Sequence, residues 1–356
     1  MKLCGIEFSN VLQASGATNF YGHGRGRGHG WWYHKILAPF GLRWNHSGVV
    51  TKTTTLLPRA GNMPLKNDGV TPKEWIPRCI VVNRAKQAVL NAVGLSGPGL
   101  DFLLSSGKWK EIRYPFFISI MSLAETREER HAEYSVIFGK LAYAKAKGGF
   151  RADFGVQVNL SCPNGGLDPD ALIDEAVPTL ECAGQYLPDT VPVMPKFGPE
   201  AHPESMLRIV KHPRCSALCF SNTLPFGKHP TWVKETSPVD WKGIFGTDDP
   251  KESPIARRFP GFAGGLSGAP LLPFVIEWVR AVRALSITTP INAGGGILSG
   301  NDAGHVFDEG ADSIFLGSIA MLAPTQVQKT IQTAHNYVRL RQRKLGIDPR
   351  AMTYNV

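Results

Sequence analysis

Short apolar runs alternate along this chain with longer segments whose apolar residues recur at helical spacing. The apolar runs have the length of buried strands and are rich in β-branched residues. They cover residues 48–56, 115–120, 154–160, 193–197, 217–221, 290–293 and 313–316. The helix-like segments between several of them cover residues 126–147, 168–185, 203–211, 273–285, 301–309 and 324–345. This order predicts a parallel sheet with helices on its outside.

The number of strand–helix units favours a closed (β/α)8 barrel, the TIM barrel, over an open, doubly wound sheet. No change in composition marks a second domain, so we interpret residues 1–356 as one α/β domain. Two long segments break the alternation and are interpreted as inserted loops, residues 19–47 and 224–262. Unstructured loops of this length are usually lids or mobile binding loops.

The first insertion contains a run of glycine, arginine and histidine at 21–30, followed by aromatic residues at 31–33. Arg-Gly segments beside aromatic rings are one way in which proteins bind RNA. A basic loop packed by its own tryptophans is the simpler interpretation, and we favour it.

The composition adds three constraints. A formal net charge of +10 permits anionic partners, from a carboxylate or a phosphate to a nucleic acid. No apolar run approaches the roughly 18 residues of a membrane span, and no signal-peptide pattern opens the chain. We therefore expect a cytoplasmic protein without a membrane segment. The six cysteines form no CxxC pair, so we expect neither a disulfide framework nor a metal site.

The predicted strand at 154–160 runs into a polar turn that holds Cys162 between Asn159 and Asn164. In a barrel, the carboxyl end of a strand opens into the pocket. Amides there can bind a planar polar substrate, and a thiol can accept a proton. A lone cysteine at a strand end is more often a small buried apolar residue, so the chemical interpretation depends on the rest of the chain.

Two glycine-rich turns follow the last two predicted strands, at 292–297 and 313–318. Backbone N–H groups at such turns bind anions, because the missing Cβ lets a phosphate approach the chain. The loops after the last two strands of (β/α)8 barrels commonly form such a site. The two turns together predict a phosphorylated cofactor.

Motifs from Ala14 to about Pro324 resemble the dihydroorotate dehydrogenases, FMN-dependent (β/α)8 barrels of pyrimidine biosynthesis. They follow the family's order at the ends of predicted strands: 50–55, 91–95, 159–164, Lys196, 221–223, 264–268, 295–297 and 317–318. The resemblance implies oxidation of dihydroorotate to orotate. Cys162 matches the catalytic base, which removes a proton from C5 while a hydride leaves C6 for flavin N5. The cytosolic branch has cysteine at that position, and the membrane-associated branch has serine.

The resemblance also implies the binding residues. Lys196 matches a lysine that faces the N1–C2 edge of the flavin, where a fixed cation stabilises the anionic reduced ring. The positions implied to bind the substrate are Lys52, Asn91, Val93, Gly94, Leu95, Asn159, Asn164, Asn222 and Thr223. The positions implied to bind FMN are Ser15, Lys52, Thr53, Asn159, Lys196, Ser221, Gly268, Gly295, Gly296, Gly317 and Ser318.

The chain departs from the family pattern after Asn164, where Gly165 and Gly166 replace the usual Pro-Gly pair. The change affects the loop that closes over the substrate rather than the identity of the base. The run at 21–30 and the segment 224–262 are also unfamiliar, and they could alter the pocket entrance and dimerisation.

Three hypotheses stay open. The favoured one is a cysteine-type dihydroorotate dehydrogenase, expected from its family to be a homodimer, and the lack of an N-terminal helical extension argues against the quinone-linked form. The second is a related flavin barrel acting on dihydrouracil or on dihydrouridine in tRNA. The charge suits RNA, but the matched asparagines and the lack of an RNA-binding domain disfavour a nucleic-acid partner. The third is a flavin-binding barrel without turnover.

The electron acceptor cannot be read from the sequence. Fumarate, a quinone, oxygen, and NAD through a partner iron–sulfur subunit all stay open, and no cluster motif occurs in this chain.

Overall fold

The computed structural model describes residues 1–24, 26–160 and 173–344. Its strands are β1 Lys2–Leu3, β2 Ile6–Glu7, β3 Val11–Gln13, β4 Ile80–Asn83, β5 Ala88–Asn91, β6 Phe116–Ile120, β7 Phe154–Asn159, β8 Val193–Phe197, β9 Leu218–Phe220, β10 Leu224–Pro225, β11 Gly265–Gly268, β12 Ile291–Ala293 and β13 Ser313–Leu316. Its α-helices are α1 Trp32–Leu37, α2 Leu100–Ser105, α3 Arg127–Ala146, α4 Ala176–Tyr186, α5 Met206–Ile209, α6 Trp241–Phe245, α7 Leu272–Ala284, α8 Gly300–Asp308, α9 Ile319–Leu322 and α10 Val327–Lys344.

A parallel sheet of seven strands, in the order β3-β13-β12-β9-β8-β7-β6, forms most of the barrel wall. The extended segment 48–54 fills the gap between β3 and β6 by pairing in parallel with both: Gly48 bridges Leu12, and Val50 bridges Phe117. The N–H of Thr51 donates to the carbonyl of Phe117 at 2.9 Å. The wall therefore closes with eight strand positions, which are the seven strands and the segment 48–54, as the alternation in the sequence predicted.

Helices α3, α7 and α8 lie within a residue or two of the predicted bounds, and α10 follows a 3-10 turn at Pro324–Gln326. Of the predicted helix 168–185, the part that the structure describes contains α4. Helix α3 begins at Thr126, whose side chain forms a capping box with Glu129. The predicted helix 203–211 is wrong in its extent, because a 3-10 turn at Pro203–Ser205 precedes a four-residue α5. Pro213 disfavours helical geometry at the residue before it, which limits the segment.

The inside of the barrel is packed by its own apolar cluster, separate from the layer between the sheet and the helices. Phe8 stacks on Phe117 with 4.4 Å between ring centroids. The hairpin of β1 and β2 adds Met1 and Leu3 to this cluster. The amino end of the barrel is therefore filled by this cluster.

Both inserted segments carry more structure than the sequence indicated. In the first, Asn19 bridges His29, and α1 follows. The indole of Trp31 donates to the carbonyl of Gly16 at 3.0 Å, and Trp44 is buried. This packing agrees with the favoured interpretation of a loop held by its own tryptophans.

The second insertion contains β10 and α6, so its description as unstructured was wrong. Strand β10 joins β11, β5 and β4 in a four-stranded antiparallel sheet. The assignment of residues 1–356 to one domain stays a prediction. No helix in the described ranges is both long and apolar enough to cross a membrane.

Candidate active site

Three of the predicted residues meet at the carboxyl ends of neighbouring strands. Asn159 on β7 pairs in register with Lys196 on β8. Asn222 follows β9, and its Nδ2 donates to Oδ1 of Asn159 at 3.1 Å. The backbone N–H of Asn222 donates to the carbonyl of Phe197 at 2.8 Å. Because these strands are parallel, all three side chains lie at the same end of the barrel.

Two lysine side chains are buried at this end. Lys196 is 7% exposed, and its Nζ lies 5.3 Å from the ring centroid of Phe315. Lys52 is 6% exposed; its Nζ donates to the carbonyl of Ser96 and lies 5.0 Å from the ring of Phe20. Burying a positive charge is costly unless an anion or several acceptors compensate it. Two such lysines therefore suit a site that binds a group with negative charge.

The loop 92–97 carries the backbone groups expected to bind the substrate. The carbonyl of Val93 accepts the backbone N–H of Asn62 at 2.9 Å, and that of Gly94 accepts Nε of Arg59 at 2.9 Å. Leu95 has a positive φ of 57°. Arg59 and Asn62 thus fix the shape of this loop. Neither residue was predicted from the sequence, since an arginine and an asparagine in a loop carry no distinguishing pattern.

Asn91 and Thr223 are placed less centrally. Asn91 ends β5, and its Nδ2 reaches the carbonyl of Gly265 on β11 at 3.5 Å. Thr223 is half-buried directly after Asn222. The antiparallel sheet therefore positions Asn91, while the barrel positions Asn159 and Asn222.

A chain of hydroxyl groups joins the end of β3, the segment 48–54 and β6. The hydroxyl of Ser15 donates to the carbonyl of Thr51 at 2.9 Å and lies 2.9 Å from that of Thr53. Thr53 in turn lies 2.9 Å from the hydroxyl of Ser119 on β6. Ser119 was not predicted, although its alternation with apolar neighbours on β6 was a possible signal.

The predicted phosphate-binding glycines form close backbone contacts. A Cβ at Gly296, whose φ is +80°, would lie 2.6 Å from the carbonyl oxygen of Gly268. A Cβ at Gly317 would lie 2.8 Å from Cβ of Ala14. Ser221 donates its backbone N–H to the carbonyl of Gly294 at 2.8 Å. Gly295 continues the turn, and Ser318 follows Gly317 at the start of α9. The turns after β9, β12 and β13 are thus built with little room for side chains, as a phosphate cradle requires.

Cys162 and Asn164, together with Gly165 and Gly166, lie outside the described residues. The chain leads toward them from Asn159 and returns at Ile173. Their predicted roles therefore stay predictions.

Among the described residues, two cysteines near the lysines are poorly suited to accept protons. Burial raises the pKa of Cys219, which pairs with Lys196 in register, to about 12. Burial also raises the pKa of Cys79 to about 11, against a smaller opposing effect of Lys52. Both thiols stay protonated near neutral pH.

A family model described as dihydroorotate dehydrogenase matches residues 1–336. The chain belongs to the dihydroorotate dehydrogenase family. Dihydroorotate dehydrogenase A (fumarate) of Lacticaseibacillus paracasei is 29% identical, over 76% of this chain and 78% of that protein. The catalytic subunits of dihydroorotate dehydrogenase B (NAD(+)) of Latilactobacillus sakei and Streptococcus pneumoniae are 26% and 25% identical. Each alignment spans 91% of this chain, and 88% and 87% of the respective relative.

Membership confirms the family resemblance, the (β/α)8 barrel and the FMN-dependent oxidoreductase activity expected from it. The described residues fit FMN on their own chemistry: two buried lysines, a row of hydroxyl groups and turns that exclude a Cβ. Buried cations stabilise a reduced flavin, and glycine-rich turns of this kind bind phosphate.

Proposed function

We propose that this dihydroorotate dehydrogenase oxidises dihydroorotate to orotate with Cys162 as the base. The observation that carries the proposal is the contact of Asn159 with Asn222 beside the buried Lys196. The chain runs from this group to Cys162 in three residues. A strand end can hold the amides and cation rigidly while the next turn carries the base.

Each side chain then has a defined task. Asn91, Asn159, Asn164 and Asn222 would bind the alternating carbonyl and N–H groups of the dihydropyrimidine ring, since an amide can both donate and accept. Cys162 would take the proton from C5. FMN, when bound, accepts the hydride that leaves C6.

The residues proposed to hold the cofactor divide into three groups, to which Asn159 adds a side-chain amide. Lys52 and Lys196 supply positive charge, and Ser15, Thr53, Ser221 and Ser318 supply hydroxyl groups. Gly268, Gly295, Gly296 and Gly317 leave space for the phosphate beside backbone N–H groups.

The base can be tested in a single half-reaction. The purified, FMN-loaded protein is mixed anaerobically with dihydroorotate, and the flavin absorbance is followed by stopped flow. We expect rapid bleaching in the wild type and a loss of about 10²–10⁴-fold in Cys162→Ala, the usual contribution of a general base. Cys79→Ala, which removes a protonated buried thiol, should bleach near the wild-type rate.

The same assay contains the outcomes that contradict the proposal. A Cys162→Ala protein that bleaches at the wild-type rate would exclude this cysteine as the base. A yellow wild type that bleaches with dihydrouracil or with RNA containing dihydrouridine, but not with dihydroorotate, would favour the second hypothesis.

The acceptor and the assembly form a finer part of the proposal. The names of the relatives give two possibilities, fumarate in one and NAD⁺ with a catalytic subunit in the other. Reoxidation of the photoreduced protein by fumarate alone would indicate the first. Reoxidation by NAD⁺ only after adding a partner subunit would indicate the second. Sedimentation equilibrium tests the proposed homodimer.

A further inference from the structure

Two loops, one after β3 and one after the segment 48–54, expose a group of large apolar side chains. On α1 and the turn after it, Trp32, Ile36 and Phe40 are 42%, 57% and 67% exposed. Their spacing of four residues favours one side of this segment. On the second loop, Trp75 and Ile76 are 69% and 79% exposed. We call these five residues the aromatic patch.

The two loops form one surface. The rings of Trp32 and Trp75 lie 4.8 Å apart between centroids, and Nε1 of Trp32 donates to the carbonyl of Trp75 at 2.7 Å. Asn19 also donates to the carbonyl of Val70 at 2.9 Å, which joins the loops further along. The patch is therefore a fixed feature and not two independent loop tips.

Positive charge surrounds the patch. Lys35 lies on α1 beside Trp32, and Lys73 precedes Trp75 by two residues; both are exposed. Arg27, Lys66 and Lys73 line a cavity of about 570 Å³ between the loops. The nearby carboxylates are engaged: Asp68 lies 3.8 Å from Nε of Arg27, and Glu74 binds Arg78 at 2.9 Å. The surface is thus basic as well as apolar.

We infer that the aromatic patch docks on an anionic lipid bilayer. Exposed Trp, Phe and Ile side chains can enter the boundary between headgroups and acyl chains, while Lys and Arg contact the lipid phosphates. The net charge of +10 adds attraction to an anionic leaflet.

Two other occupants fit the surface less well. A second copy in a two-fold contact would bring the same cations against each other, at an electrostatic cost. Nucleic acid would match the cations and the tryptophan rings, but it offers little to Ile36 and Ile76. A bilayer satisfies both the apolar and the basic groups.

The test uses the full FMN-loaded chain and sucrose-loaded vesicles. Vesicles of equal parts phosphatidylglycerol and phosphatidylcholine are compared with pure phosphatidylcholine by co-sedimentation, at low and at near-physiological salt. We expect binding to the anionic vesicles that weakens as salt screens the charges. The double variant Trp75→Ala/Ile76→Ala and the variant Lys35→Glu/Lys73→Glu should each lower the partition coefficient by about tenfold or more.

The matched control is Tyr143→Ala/Lys147→Glu on the far end of α3, where Tyr143 is 67% exposed and Lys147 is near its ring. It removes one exposed ring and reverses one charge outside the patch, so it should bind as the wild type does. Flavin absorbance and dihydroorotate bleaching check that every variant is folded.

Three results would overturn the inference. The wild type could stay in the supernatant with anionic vesicles at low salt. The patch variants could bind as well as the control. Sedimentation equilibrium could show that Trp75→Ala/Ile76→Ala dissociates an oligomer, which would assign the patch to a protein interface.

Discussion

Lys196 places a positive charge where only 7% of its side chain reaches solvent. We expect Lys196→Met to keep the packing of the buried stem and to remove the charge. If the lysine stabilises negative charge during flavin reduction, bleaching by dihydroorotate should slow by about 10²–10³-fold, the size typical of a preorganised electrostatic contact. The flavin midpoint potential should fall as well. It is measured by dye-equilibrated reduction.

A purely structural role for Lys196 predicts something else. The Met variant would then lose stability or FMN affinity without a change in potential. Lys52→Met is a useful comparison, because its Nζ already contacts the carbonyl of Ser96 and its loss should disturb the loop 92–97 as well.

At the scale of single residues, the sequence predicted those whose type is unusual for their place. A lysine inside the apolar run of β8 is unusual, so Lys196 could be recognised from the pattern together with the family resemblance. Arg59 and Asn62 could not, because their role is to hold carbonyl groups of a loop that is distant in sequence. Such contacts depend on the fold and leave no local signal.

The glycine-rich turn after β12 gives a prediction at the scale of an element. In Gly296→Ala, the new Cβ would meet the carbonyl oxygen of Gly268, and the residue would keep a φ of +80°. The turn must shift, so we expect FMN affinity to fall by about tenfold or more, since strained positions cost of order 1–3 kcal/mol. Flavin fluorescence during titration of the apoprotein measures it.

Gly148→Ala is the matched control for this turn. Gly148 has a φ of +69°, but a Cβ there would meet nothing within 4 Å. It should lower stability through backbone strain alone and leave FMN affinity unchanged. Equal losses of FMN affinity in the two variants would show that the Gly296 turn does not form the cradle.

His34 makes the first insertion sensitive to acid. Its side chain is buried, Nε2 has no hydrogen-bond partner among the described residues, and burial lowers its pKa to about 4. The unfolded chain takes up the proton near its ordinary pKa of about 6.5. Between these values the native state binds fewer protons, so the free energy of unfolding falls as the pH drops from about 6.5 to about 4.

The buried, neutral His34 costs no stability above about pH 6.5. Below that pH, we expect His34→Gln to reduce the loss in the free energy of unfolding by up to about 3 kcal/mol. Urea unfolding at several pH values measures the slope. Burial also lowers the pKa of His23 and His29, so part of the slope should remain. Parallel curves for variant and wild type would contradict the assignment.

The insertions illustrate what the sequence could not provide at the scale of elements. Glycine- and proline-rich composition indicated loops, and the regular alternation that identifies strands and helices was absent. Their order comes from contacts with other parts of the chain, such as the indole of Trp31 with the carbonyl of Gly16 and strand β10 with β11. The strand and helix propensities of single residues do not include stabilisation by such distant contacts.

At the scale of the whole molecule, the closed barrel was predictable because it follows from repetition. Each strand–helix unit is regular, and eight parallel strands can close into a barrel in only a limited set of ways. The segment 48–54 is harder to predict. Its pattern predicted a strand, but it pairs with its neighbours on both sides only through isolated bridges. Residues such as Lys52 and Thr53 are placed by this closure.

A buried ion pair joins α3 to the residue directly before α4. Arg130 on α3 donates to Glu175, directly before α4, and both side chains are at least nine-tenths buried. The Arg130 guanidinium also donates to the carbonyls of Ala124 and Glu125 at 2.8 and 2.7 Å. This arrangement fixes the start of α4 against α3.

We expect Glu175→Gln to lower the free energy of unfolding by about 3–5 kcal/mol, because it leaves the Arg130 charge buried without its partner. The neighbouring pair of Arg208 with Asp174 is exposed, so Asp174→Asn should cost no more than about 1 kcal/mol. Thermal and denaturant unfolding of the two variants measure this contrast.

If Arg130 and Glu175 also anchor the segment that carries Cys162, Glu175→Gln should slow flavin bleaching at temperatures where it is fully folded. Equal stability of the two variants would mean that water reaches the Arg130 charge and that the pair does not hold this segment.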